Sequence, residues 1–174
     1  NKNNSQVLQL LGTLYLQKNN FKLSEEYLQN SLKQDPGNPG TLNNLGLLKK
    51  NTKDFKTALK YFELNIKKNN FLNSWVNKSN ILLENEKYNE GLEFSKEALK
   101  IYPKHLKIRN NFGIFLFKCG FQNEALDIFH QLDVEELHSV ESYINYCNLL
   151  IQVNNLNLAL KVINKFLLIH KDNL

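Results

Sequence analysis

The 174-residue sequence predicts an all-α fold, an α-solenoid built from five helix-turn-helix repeats with about ten helices. Three observations carry that expectation. Residue classes recur at offsets of 34, 33, 34 and 34, which sets unit starts at Ser5, Pro39, Leu72, Leu106 and Val140. Small residues return at the eighth position (Gly12, Gly46, Ser79, Gly113, Cys147) and at the twentieth (Ser24, Ala58, Gly91, Ala125, Ala159), as two helices need where they cross closely. Apolar residues spaced three, four and seven apart lie on both sides of a turn signal, so each unit holds two amphipathic helices.

The units justify themselves in order. In the first (residues 5–38), Leu8 and Leu11 flank Gly12, the turn is Lys18-Asn19-Asn20-Phe21, and Leu28 continues the stripe before Asp35-Pro36-Gly37 ends the second helix. The second (39–71) repeats this with Leu42, Leu45, Thr52-Lys53-Asp54-Phe55, Leu59 and Phe62. The third (72–105) places Trp75 in the large apolar slot, turns at Glu86-Lys87-Tyr88, and stops at Tyr102-Pro103. The fourth (106–139) has Phe112, Cys119-Gly120-Phe121, Leu126 and Phe129, but Arg109 stands where a large apolar residue belongs. Its end, Asp133 to His138, is irregular, and the Asp133/Glu136 spacing predicts a short extra turn. The fifth (140–173) has Tyr143, Tyr146, Asn154-Asn155-Leu156, Leu160 and Ile163. Residues 1–4 read as a disordered or linker N-terminus, and 5–174 as a single domain.

Through Leu8, Leu11, Gly12, Tyr15, Phe21, Leu28 and Pro36, and again through Leu42, Leu45, Gly46, Phe55, Ala58 and Phe62, the chain resembles the tetratricopeptide repeat family over five tandem units. Ordering one such unit costs about 50 kcal/mol, which calls for roughly 2,000 Å² of apolar burial, more than an isolated hairpin supplies. Neighbours must therefore share faces, in a right-handed superhelix whose first helices line a concave groove. Leu160, Ile163, Phe166, Leu167 and Ile169 follow one another without a polar capping helix, so the C-terminal face is expected to be covered by a further helix or by self-association with a second copy.

The resemblance implies that the fifth, sixth and ninth positions of each first helix project into the groove. Asparagine fills eight of these fifteen slots (Asn43, Asn44, Asn77, Asn80, Asn110, Asn111, Asn145, Asn148), where the 28 asparagines of the chain would place two or three by chance. A carboxamide both donates and accepts, so such a column suits the main chain of an extended peptide. It resembles the ladders in the arms of O-linked N-acetylglucosamine transferases and armadillo proteins. Lys107 adds a cation at the groove. The carboxylate clamp for chaperone C-termini is not expected: Val76, Glu141 and Asn145, or Asn43, Leu47 and Asn111 in the other frame, occupy slots that need cations and amides.

The expected function is therefore a protein–protein interaction scaffold holding an extended peptide or a partner subunit. The absence of methionine, including at position 1, points to an excised domain of a larger protein. The alternative is a substrate-recruiting arm of an enzyme whose catalytic domain lies elsewhere. RNA reading is disfavoured by the period and by a net charge of only +5. No catalysis, cofactor or metal is expected within the segment, because His105, His130, His138 and His170 fall at unrelated offsets and no glycine-rich phosphate loop occurs. Cys147 reads as a core thiol, and Trp75 as a core anchor. Two separated cysteines suit a reducing compartment, cytoplasmic or nuclear. No apolar run reaches the ~20 residues that span a bilayer.

Overall fold

The computed structural model describes residues 2–134 and 140–169, and among them every regular element is helical. The ten helices are α1 (Lys2–Gln17), α2 (Phe21–Gln34), α3 (Pro39–Asn51), α4 (Phe55–Asn69), α5 (Leu72–Glu84), α6 (Tyr88–Ile101), α7 (Leu106–Lys118), α8 (Gln122–Val134), α9 (Val140–Gln152) and α10 (Leu156–Ile169). Their starts fall on the periods read from the sequence. The first helix is longer than expected, because α1 begins at Lys2 and takes in residues assigned to a linker. The extra turn expected around Asp133–His138 lies outside the described residues.

The chain forms two compact units, Asn1–Glu84 and Asn85–Leu174. In the first, α1 to α5 each pack on the next helix in sequence, and α1 on α3 and α3 on α5 as well. In the second, α6 to α10 pack in the same neighbour-on-neighbour way, with α7 also on α9. Within each unit, α1, α3 and α7 thus touch both their own second helix and the first helix of the following repeat, which is how stacked hairpins share their apolar faces.

Each three-residue connection between first and second helix has its middle residue in the left-handed region, always the fifteenth of the repeat: Asn19, Lys53, Glu86, Gly120 and Asn154, with φ of 56°, 61°, 56°, 90° and 59°. Where the bonds are resolved the geometry is a Schellman turn, with Asp54 N–H on Lys49 C=O at 2.8 Å and Lys53 N–H on Lys50 C=O at 2.9 Å. The next residue stands immediately before the second helix. Asn20 and Asp54 cap α2 and α4 by accepting from Leu23 N–H and Thr57 N–H, and Asn38 caps α3 from Thr41 N–H. Hydrogen bonds from the Thr57 side chain and then from its backbone N–H hold the Asp54 carboxyl below its ordinary pKa, with Lys49 and Lys60 adding to the effect.

Packing follows the small and large positions with one revision. A Cβ added at Gly12 or Gly46 would run into Leu28 or Phe62, and one at Gly113 would press on Phe129 at 3.0 Å, in each case the twenty-fourth residue of the same repeat, so the first-helix glycines make room for second-helix side chains. In the first repeat both small residues meet at the crossing, where the Ser24 hydroxyl donates to Gly12 C=O at 2.9 Å. Gly91 behaves differently: its missing side chain makes room for Phe115 of the following repeat, so there the twentieth position serves the junction between repeats. Arg109 is buried in its apolar slot and donates to Gln131 Oε1 at 3.2 Å, which explains how a guanidinium is tolerated there. Trp75 is a buried anchor whose indole N–H donates to Asn70 Oδ1 at 2.8 Å.

Candidate functional site

The first helices carry the candidate site, and the structure places its eight asparagines in two groups. In the first unit, Asn43 and Asn44 of α3 are buried, while Asn77 and Asn80 of α5 are half-buried. In the second, Asn110 and Asn111 of α7 are buried, Asn145 of α9 is half-buried, and Asn148 is exposed. Lys107 is exposed near the start of α7. A row of eight solvent-facing amides is therefore not what forms, and the reason is visible in the hydrogen bonds.

Asn77 Nδ2 donates to Asn43 Oδ1 at 3.0 Å, and Asn145 Nδ2 donates to Asn110 Oδ1 at 3.3 Å. In both units the sixth-position carboxamide of one repeat bonds the fifth-position carboxamide of the repeat before it. Asn44 makes the equivalent reach backwards, donating to Thr13 Oγ1 at 2.6 Å in the first repeat. Much of the asparagine excess is thus spent on joining successive first helices. A carboxamide suits that task because it leaves no donor or acceptor stranded when the junction closes. Sequence reasoning located the column but missed its pairing; the signal was the coexistence of asparagine at position five of one repeat with asparagine at position six of the next.

A second set of junction bonds was not foreseen. Ser31 Oγ and Thr41 Oγ1 share a hydrogen bond of 2.8 Å, and Ser31 Oγ also donates to Ser5 C=O. One repeat on, Asn65 Nδ2 donates to Ser74 Oγ at 2.8 Å and to Pro39 C=O at 2.9 Å. All these side chains are fully or almost fully buried, so the twenty-seventh position of one repeat is tied to the third position of the next inside the stack.

What remains open to a ligand lies on the rim of these junctions. In the second unit, Asn145, Asn148, Lys118 and Gln152 surround a concavity of ≈ 210 Å³ whose apolar wall includes Ile114 and Phe117. In the first, ion pairs join α3 to α5 through Lys50–Glu84 at 2.6 Å and α4 to α5 through Lys78–Glu63 at 2.8 Å. The paired lysines Lys49-Lys50 and Lys67-Lys68 sit in the last turns of α3 and α4, and Lys49 also pairs with Glu25 at 2.5 Å.

Among the described residues no group of histidine, cysteine and carboxylate side chains is arranged to hold a metal ion. Cys147 is buried, and Cys119 ends α7 half-buried, its Sγ 3.4 Å from Asn89 Oδ1; burial pushes that thiol's pKa up and makes it a weaker nucleophile. His130 is exposed, as expected. His105 is not a simple surface residue: it precedes α7 half-buried, its Nδ1 has no hydrogen-bond partner, and burial followed by Lys107 lowers its pKa. His138 and His170 lie outside the described residues. No described helix is long and apolar enough to cross a membrane.

Comparison with known proteins agrees with this geometry. The sequence model of the tetratricopeptide repeat matches residues 5–38, 39–67 and 72–105. The human "Cell division cycle protein 16 homolog" is 27% identical over 130 residues, which are 69% of this chain and 21% of that protein. The chain thus spans about a fifth of the length of the curated relative it matches. Pseudomonas aeruginosa pilF superposes with a TM-score of 0.81 at 18% identity, over 94% of this chain and 75% of that one. YrrB, described as a TPR protein with an unusual peptide-binding site, gives 0.68 at 18% identity, over 92% and 84%. With matched repeats over more than half of its length and the same helical fold as these structures, the chain belongs to the tetratricopeptide repeat family.

Proposed function

We propose that the chain is a protein-binding scaffold that holds an extended segment of another protein on its first-helix faces. The observation that carries this reading is the rim of the second unit, where exposed Asn148 and half-buried Asn145 stand beside an apolar-walled concavity. Asn145 uses one N–H on Asn110, and a carboxamide has further donor and acceptor capacity for a peptide's main chain. The neighbouring wall of Ile114 and Phe117 suits one apolar side chain of such a segment. That YrrB, of the same fold, is described by a peptide-binding site supports this class of ligand.

Each amide contact contributes about 1 kcal/mol net, so with association costs of several kcal/mol the affinity belongs near the micromolar range. Fluorescence anisotropy with a panel of labelled unstructured peptides tests the proposal. Some members should bind at about micromolar Kd with little salt dependence, whereas a phosphate-driven nucleic-acid ligand would show a steep one. Asn148→Ala should weaken binding by roughly 3- to 10-fold and leave the melting temperature unchanged. A panel without binders, or an unchanged affinity in that variant, would remove the basis for the proposal.

A further inference from the structure

Arg109 is the only arginine in a chain with 21 lysines. It stands at the fourth position of its repeat, which Leu8, Leu42, Trp75 and Tyr143 fill in the other four. Packing gains nothing from a cation in that slot, and taking a guanidinium out of water is costly unless polar groups meet it. Arg109 is nonetheless only 7% exposed. A buried lysine can shed its proton, whereas arginine stays charged, so the fold keeps a permanent positive charge among α6, α7 and α8.

Arg109 lines a cavity of ≈ 550 Å³ inside the second unit. Leu99 of α6 and Pro103 of the connection after it form one side, and Ile128 and Gln131 of α8 the other. Lys104 supplies a second cation, and among the described residues the lining holds no carboxylate. Lys104 and Gln131 are exposed while Arg109 is buried, so the cavity leads from solvent inwards to the arginine. Gln131 Oε1 accepts from Arg109 Nη2 at 3.2 Å, which orients the planar guanidinium. The lining shares no residue with the concavity beside Asn145 and Asn148, so this site is separate from the rim assigned to peptide binding.

The lining selects its ligand by charge and shape. A guanidinium presents paired N–H donors that match two oxygens of a carboxylate or phosphate, and a lysine ammonium adds a point charge beside them. Leu99, Pro103 and Ile128 make the rest of the wall apolar, and the volume is that of a small-ligand site rather than of a bare ion. We infer that the cavity binds an organic oxyanion, its carboxylate or phosphate held by Arg109 and Lys104 and its short apolar body laid against Leu99, Pro103 and Ile128. The same group is offered by a free small molecule and by a phosphorylated or acidic side chain of a polypeptide.

Amide-resolved NMR titration of the chain with phenyl phosphate and benzoate, and with benzyl alcohol as the neutral control, tests the site. One or both anions should shift the amides at the end of α6, the start of α7 and along α8 saturably, with a Kd of about 1 mM, and benzyl alcohol should not. Arg109→Leu carries the residue type of the first two repeats in this slot and should fold, yet weaken anion binding at least about 10-fold. Lys104→Ala, at an exposed position, should weaken it about 3-fold. A phosphotyrosine peptide that binds more tightly than phenyl phosphate supports the site with a polypeptide as its source, and one that binds no better supports it with a small molecule. Wild type without saturable shifts from either anion, or shifts that survive unchanged in both variants, overturns the inference and leaves Arg109 a packing residue.

Discussion

His105 shows how one residue couples the fold to solution conditions. It precedes α7 without making a capping bond, and its ring nitrogen Nδ1 is buried with no partner. Burial, and then Lys107, disfavour the imidazolium, so its folded pKa lies below the usual 6.5. Below pH 6.5 the unfolded chain takes up a proton that the folded chain refuses. Stability associated with this residue is therefore intact above that pH and is lost as pH falls towards the folded pKa. Urea denaturation of wild type and His105→Gln should show the wild type losing ground to the variant between about pH 7.5 and pH 5.5. A difference between them that stays flat over that range would show that His105 is not a source of acid sensitivity. Asp54 has the same sign for a different reason, its carboxylate being stabilised as a helix cap.

At the scale of the element, the hairpin turn is the most regular feature and the one least well served by composition. Five of five first helices end in a left-handed residue, but only Gly120 has no Cβ, and the others are Asn19, Lys53, Glu86 and Asn154. Asparagine tolerates this region, whereas lysine and glutamate crowd their own carbonyl there. Lys53→Gly and Glu86→Gly should each stabilise the protein by about 0.5–1 kcal/mol, the relief of strain being partly offset by the greater freedom of glycine when unfolded. Asn19→Gly should gain less. Chemical denaturation midpoints decide this, and a loss of stability at both positions would mean that the Lys53 and Glu86 side chains contribute more through packing than their backbones cost. Glycine on the first helices has a different role: Gly46 is a socket for the Phe62 ring, and any side chain there displaces an aromatic core residue.

For the whole molecule, the bonding pattern is local in sequence. The bonds Ser31–Thr41, Asn65–Ser74, Asn43–Asn77 and Asn110–Asn145 each join one repeat to the next, 9 to 35 residues away, those of Ser31 with Ser5 and Asn65 with Pro39 stay within one repeat, and the helices pack on neighbours within each compact unit. Stability in such an arrangement is close to a sum of nearest-neighbour terms. Phe129, buried in the Gly113 socket, is a suitable place to cut one term. Phe129→Ala should cost about 3–5 kcal/mol locally. Hydrogen exchange should then speed up in α7 to α10 while the amides of α1 to α4 keep their protection. Equal loss of protection along the entire chain would show cooperativity beyond nearest neighbours.

The order of helices, the repeat boundaries and the identity of the core were legible in the sequence, because amphipathic spacing and small–large alternation are set by local geometry that every repeat must satisfy. Gly12, Gly46 and Gly113 were legible as points of close helix approach and Trp75 as an anchor, whereas the large side chains that fill the glycine positions were seen only in the structure. The fate of polar groups was not legible. Whether a carboxamide at position five or six turns to solvent or to its neighbour depends on how closely two first helices approach, and that distance is a property of the packed stack. Asparagine is equally at home on a wet rim and in a dry junction, provided a partner stands opposite; tertiary structure supplied that partner for Asn77 in Asn43 and for Asn145 in Asn110, and left Asn148 exposed to solvent.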